Sequence, residues 1–494
     1  MKQIRMLATL LCVLVALASC HKTDYVQVIP QDASFVVSAD IAGIAGKADL
    51  PGSSLMQTVN NYMGLITSGE ARQQLQHYID EPASMGIDFT RPLYFFIAGE
   101  YAGLTMCVAD GGDVEKFIQM LTSQNLCRGA SEADGTKTAL LLDDVVLTYD
   151  THTLLLLANT QKGSVAQARQ VAAQLMKQDK ELSFAASEAY GKMDGKGDCD
   201  IVAYSNGAAL SGDLLESVKS FLPTGIRPVD IELFSSLSFQ KGRAVLTANV
   251  EGKSNAAQKL LEEGNDNFRK IEGRYISLPQ EDFALWACMG VKGSWLLERL
   301  KQESNSKQFL LMLERAIDIE QIIRSTDGDI AMTFPKAAMA DRDFKKADFM
   351  LMARVDDTDF LDDVDYWQKT MKDYGATMTK TKGNDYILKA SDYTLNWGVD
   401  GKDVYFASPR MFASYVTSQR SKVLESVESD IKQNQVYIYC NLENIVGNVR
   451  TGRSVIDTMA GQLKVLIIKS RSSNSIEISV ELKSDEENFL KALL

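Results

Sequence analysis

Apolar residues along this chain recur in two rhythms. In short runs they alternate every second position; in longer ones they return every third or fourth, the signatures of half-buried strands and amphipathic helices. "SFVVSADIAGI" from Ser34, "DIVAYSNGAAL" from Asp200 and "VYIYCNLENI" from Val436 are each a β-rich apolar run ending in Asp or Asn, with an aliphatic residue four positions on: Asp40 and Ile44, Asn206 and Leu210, Asn441 and Ile445. An Asp or Asn side chain accepts an orphan N–H of a helix's first turn, so each stretch predicts strand, cap, helix. "FALWACMGVKGSWLLERL" from Phe283 reads as a fourth copy, departing with Met289 at the cap position and a glycine insertion before the helix.

A second pattern also occurs four times: "GLTMCVADGGDVEKFIQML" at Gly103, "AVLTANVEGKSNAAQKLL" at Ala244, "FMLMARVDDTDFLDDVDYW" at Phe349 and "IEISVELKSDEENFLKALL" at Ile476. Each predicts a strand, an acidic or small turn and an amphipathic helix. Each follows another strand, in "RPLYFFIAG", "IELFSSLSF", "DIAMTF" and "KVLIIK", across a hairpin-like loop. Two of these units carry an extra meander, from Lys137 and from Asn384, whose turns at Asp143-Asp144, Asp150-Thr151, Ser391-Asp392 and Asp400-Gly401 mark three short strands apiece. The order long, short, long, short predicts a tandem duplication joined near Glu272 to Pro279, with halves 20–272 and 273–494. The expected fold class is α+β: mostly antiparallel sheets covered by amphipathic helices, internally duplicated.

The N-terminus changes the picture from fold to location. Lys2 and Arg5 precede "MLATLLCVLVALAS", too short an apolar run to span a bilayer and suited to a signal peptide over residues 1–19. It ends in Leu17-Ala18-Ser19-Cys20, the lipobox pattern, in which Cys20 takes a thioether-linked diacylglycerol and becomes the first residue of the mature chain. Several acyl chains hold stably, since each buried methylene adds about 0.8 kcal/mol. The expectation is a membrane partner reached through this lipid anchor, with the globular part outside the cytoplasm. A net charge of −13 argues against nucleic acid, whose phosphates need a basic surface. After Cys20 come Cys107, Cys127, Cys199, Cys288 and Cys440, an odd number without a C-x-x-C pair. Buried free thiols are the default reading, and Cys107–Cys127 is the only local candidate for a bridge.

Motifs for chemistry fail one by one. Aligning "FVVSADIAGIAGKADL" on a P-loop at Gly46-Lys47 puts Ile41 at the first glycine and Ala48 at the hydroxyl position, so the stretch predicts a strand turning into a helix. The three histidines, His21, His77 and His152, lie far apart without H-E-x-x-H. Ser304 to Lys307 resembles S-x-x-K but lacks its companion motifs. The acid run Asp356, Asp357, Asp359, Asp362, Asp363 and Asp365 offers weak metal candidates in Asp356, Asp357 and Asp359; it lacks the EF-hand glycine and glutamate, and Asp suits a helix's first turn. Tyr190 and Trp397 are aromatics able to stack sugars, and core positions are the plainer reading. No catalytic residue and no cofactor is expected.

In "YVQVIPQDASFVVSADIAGIAGKADL", residues Ile29, Pro30, Asp32, Ala33, Val36, Lys47 and Leu50 carry a pattern that resembles the opening of an uncharacterised family of Bacteroidota lipoproteins, a domain of unknown function. The resemblance carries over no catalytic residue. It implies an outer-membrane or periplasmic lipoprotein; the residues after Cys20 lack a strong acidic run, which favours the periplasmic face, with surface exposure the other option. The leading expectation is a non-enzymatic binding or scaffolding protein of the cell envelope, its partner an envelope protein or glycan. The alternatives are a hydrolase acting on envelope glycan or peptide, and a surface glycan-binding protein.

Overall fold

The computed structural model describes residues 24–494 apart from 54–55, 58–59, 62–68, 162, 197–198, 211, 213–214, 216–221, 224, 303–306, 308–309, 312–313, 315–316, 337–347, 391–393, 418 and 447–458. The signal stretch 1–19 and Cys20 lie outside the described residues. The class is α+β with antiparallel strand pairing. The chain divides into two compact units, Met1–Lys219 with Arg227–Gln240 and Glu487–Leu494, and Ser220–Ile226 with Lys241–Glu486.

Among the described residues the first unit carries β1 (Phe35–Ala39), β2 (Leu93–Ala98), β3 (Tyr101–Cys107), β4 (Cys127–Ala133), β5 (Thr136–Leu141), β6 (Val145–Tyr149), β7 (Thr153–Asn159), β8 (Ile201–Asn206) and β9 (Ile231–Gln240). They pair in the order β9-β8-β1-β2-β3-β7-β6-β5-β4, every pair antiparallel. Alternate side chains, Val36, Phe96, Leu155, Leu157 and Tyr204 among them, turn to one face, where the helix Val165–Leu175 packs Ala168, Ala172 and Leu175 on them. The Phe96 ring lies against Gly103, its cross-strand partner: a Cβ there would come within 2.1 Å of the ring.

The second unit carries β10 (Arg243–Gly252), β11 (Phe268–Arg269), β12 (Phe283–Lys292), β13 (Thr326–Pro335), β14 (Met350–Val355), β15 (Thr377–Lys380), β16 (Asp385–Lys389), β17 (Thr394–Asp400), β18 (Asp403–Ala407), β19 (Val436–Asn441), β20 (Leu463–Ser470) and β21 (Ser475–Leu482). Its order is β10-β21-β20-β19-β12-β13-β14-β18-β17-β16-β15, with the short β11 also on β12. From β20 to β15 this is the first unit's order with eleven added to each strand number. One core gathers Trp286, Met350, Tyr437 and Val465; another gathers Phe360, Trp367, Tyr386 and Trp397.

The segments leading into the two sheets also correspond. In the first unit Tyr25 is buried, the Phe184 N–H donates to the Ile29 carbonyl (2.8 Å) and the Gln31 N–H to Leu182 (3.0 Å). In the second Tyr275 is buried, the Ser421 N–H donates to the Pro279 carbonyl (2.9 Å) and Arg420 Nη1 to Leu278 (3.1 Å). The shared letters are Tyr25 and Tyr275, Pro30-Gln31 and Pro279-Gln280.

Three local expectations change. Met289 is no cap: β12 runs on to Lys292, and the helix begins at Gly293, where a Cβ would collide with the Ile323 carbonyl. Asn206 caps only a 3-10 turn, Gly207–Ala209. Each meander has one more strand than the pattern gave, β4 and β15, both mostly exposed and so without a clean apolar alternation.

Candidate functional site

Asp40 follows β1 and caps the helix Ile41–Ala48, its Oδ1 accepting the Gly43 N–H (2.9 Å). The helix turns Lys47 toward Asp200, whose carboxylate is buried: Lys47 Nζ donates to Oδ1 (2.6 Å) and the Phe239 N–H donates to Oδ2 (2.6 Å). The Gly-Lys pair is therefore part of an ion pair at the base of β8.

Among the described residues Asp329 is the other deeply buried acid, at 1% exposure. A register irregularity between Thr326 and Ile330 of β13 aims it at the segment before β12. There the Glu272 N–H (2.9 Å) donates to one oxygen, and the Gly273 (3.0 Å) and Arg274 (3.1 Å) N–H groups to the other. Burial raises its pKa, against the pull of those three donors. Next along, the Tyr275 hydroxyl donates to Asp403 (2.8 Å), and the Trp286 indole N–H to the Tyr275 carbonyl (3.2 Å).

The acid run from Asp356 is spread among several local roles. Desolvation raises the Asp356 pKa, helped by a hydrogen bond with the Asp327 carboxyl; Arg269 forms an ion pair with Asp327, and Lys402 Nζ donates to the Asp356 carbonyl (2.6 Å). Asp357 accepts from the Ser325 hydroxyl (3.3 Å) and the Asp359 N–H (3.3 Å). Asp359–Asp363 is a 3-10 turn feeding the helix Val364–Thr370, whose Trp367 enters the core. Among the described residues no group of three His, Cys, Asp or Glu is arranged to hold a metal ion.

The remaining candidates fall in structural settings. No disulfide joins Cys107, Cys127, Cys199, Cys288 or Cys440 to another, and burial raises the thiol pKa of Cys127, Cys288 and Cys440. His77 is exposed and 3.9 Å from Glu81; it lines an open groove of about 380 Å³ with Gln74, Tyr78, Lys116 and Gln119. The backbone of His152 closes the β6–β7 turn, its N–H donating to Asp150 (2.8 Å). Trp397 is fully buried and stacks on Tyr386 at 4.7 Å, and Tyr190 packs edge-on to Phe184. The sequence analysis assigns no role to Asp200 or Asp329; the available cue is an acid standing directly against an apolar run, at "CDIVAY" and "DGDIAMTF". Among the described residues no helix is long and apolar enough to cross a membrane, which says nothing of strands.

With this geometry in view, the class is that of an antiparallel α+β protein whose buried acids serve the backbone. The chain belongs to the family described as a domain of unknown function, DUF4836, which it matches over residues 25–490. No curated protein matches it. Solved structures similar to it include TP0453 in crystal form I (11% identity, 50% of this chain and 88% of that chain, TM-score 0.27) and in crystal form III (11%, 50% and 89%, TM-score 0.28).

Proposed function

We propose that this protein is a lipid-anchored, non-enzymatic binding or scaffolding protein of a Bacteroidota cell envelope, held through Cys20 on the periplasmic face of the outer membrane and built from two copies of one module. The observation that carries the anchor is the lipobox Leu17-Ala18-Ser19-Cys20 behind a short apolar stretch, with the folded chain taking over at the buried Tyr25. The matched strand orders and matched Tyr-x-x-x-(x)-Pro-Gln lead-ins support the duplication. A binding role is supported by the work given to the acids: Asp200 holds Lys47 and a backbone N–H, and Asp329 holds three backbone N–H groups. Groups so engaged stiffen a scaffold, and a general acid or base needs a proton free to move.

The test is in-cell crosslinking of the full-length chain, alongside incubation of the purified lipoprotein with envelope glycan and peptide polymers. The expected result is a specific envelope partner and intact polymers. Turnover of a polymer that is lost on substituting an acid of this chain would overturn the binding role.

A further inference from the structure

We infer that the end of the first unit formed by residues 86–92, 107–112 and 150–153 is held against a lipid headgroup surface. The inference rests on the lipid-anchor reading and adds which face meets the bilayer. Its basis is the near absence of a tether. Tyr25 and Val26 are 2% and 1% exposed. The Tyr25 hydroxyl donates to the Pro92 carbonyl (2.8 Å), and the Thr105 hydroxyl donates to the Tyr25 carbonyl (2.8 Å). The chain is therefore locked into the core five residues after Cys20, a stretch that reaches at most about 18 Å when fully extended.

The locking contacts lie at one end of the sheet. Pro92 leads into β2 and Cys107 closes β3; the Asp88 N–H donates to the Cys107 carbonyl (2.9 Å) and the Val108 N–H to the His152 carbonyl (2.9 Å), joining three loops into one surface. Its chemistry suits contact with headgroups rather than insertion among acyl chains. Asp88 accepts from the Thr90 N–H, Asp110 from the Gly112 and Asp113 N–H groups, and Asp150 from the His152 and Thr153 N–H groups, so each loop is a rigid turn with a carboxylate at its rim. Arg91 sits 3.8 Å from Asp88. Such a rim meets the ammonium of an ethanolamine headgroup favourably and repels an anionic one.

The opposite end of the same unit supplies the control. The β5–β6 hairpin exposes Leu142 to 64%, and the neighbouring Val145 connects through Ala158 and Ala102 to Ile97, the far end of β2 from Pro92. Full-length lipidated protein, with a fluorescent amino acid replacing Thr90 or Leu142, is reconstituted in phosphatidylethanolamine–phosphatidylcholine vesicles bearing a headgroup quencher. Quenching is expected to be at least about twofold stronger at 90 than at 142, and to fall to the 142 level when a Gly/Ser insert of roughly 20 residues, some 25 Å of coil, separates Thr23 from Asp24. Equal quenching at the two sites, or quenching at 90 unchanged by the insert, overturns the inference. Intact mass on the same samples separates the failures: an unlipidated Cys20 sinks the anchor reading itself, whereas a lipidated chain with equal quenching sinks only the orientation.

Discussion

Asp329 shows how a single side chain can decide the path of a segment. Its two oxygens take the N–H groups of Glu272, Gly273 and Arg274, which no strand pairs. Asp329→Ala leaves those three donors without their acceptor, and at roughly 1–3 kcal/mol for a group left unsatisfied, partly relieved by entering water, the loss should be about 3 kcal/mol. Chemical denaturation measures it, and Asp329→Asn, which keeps one acceptor oxygen, should lose less. Asp356 makes the pH prediction. Its folded-state pKa lies above the ordinary 3.8, from desolvation and the Asp327 carboxyl beside it. A carboxyl raised on folding contributes stability that is complete below the ordinary value and is lost as pH rises through the folded value. Melting temperature should therefore decline across that window in the wild type and decline less in Asp356→Asn; an identical slope in the two proteins contradicts the pairing.

Elements are where the sequence was most readable. The strands of both recurring patterns formed, because period-two apolar runs have only one way to bury a face. The cap at Asp40 formed because the side-chain oxygen answers a local need of the next turn. Non-local facts were less readable. β4 and β15 show no alternation because little covers them. Met289 fell inside a strand because β11 and β13 extend the ladder of β12 past it. At the candidate sites the negative inference about Gly46-Lys47 was readable, since a failed motif is a local fact. The ion pair replacing it was not, because Lys47 and Asp200 meet only when β1 and β8 pair. Lys47→Met should cost about 2 kcal/mol, below the 3–5 typical of a broken buried pair because Lys47 is itself partly solvated; thermal unfolding tests it. Gly103→Ala should cost about 1–3 kcal/mol by forcing the Phe96 ring off its seat. A neutral result in denaturation would mean that the ring has room elsewhere.

At the scale of the whole molecule, the two units share one order over nine strands, each lead-in buries a tyrosine, and ahead of both comes the stretch ending at Cys20. If that stretch is a lipoprotein signal, the first unit works beside a bilayer, and the partners to seek are those that reach a membrane surface. Its chemistry leaves a definite mark on the mature N-terminus. Intact mass of the protein extracted from its native membrane reads that mark most directly. The expected species is a chain beginning at Cys20 and carrying a diacylglyceryl group with a further acyl chain. A chain beginning elsewhere, or beginning at Cys20 with no added mass, contradicts it.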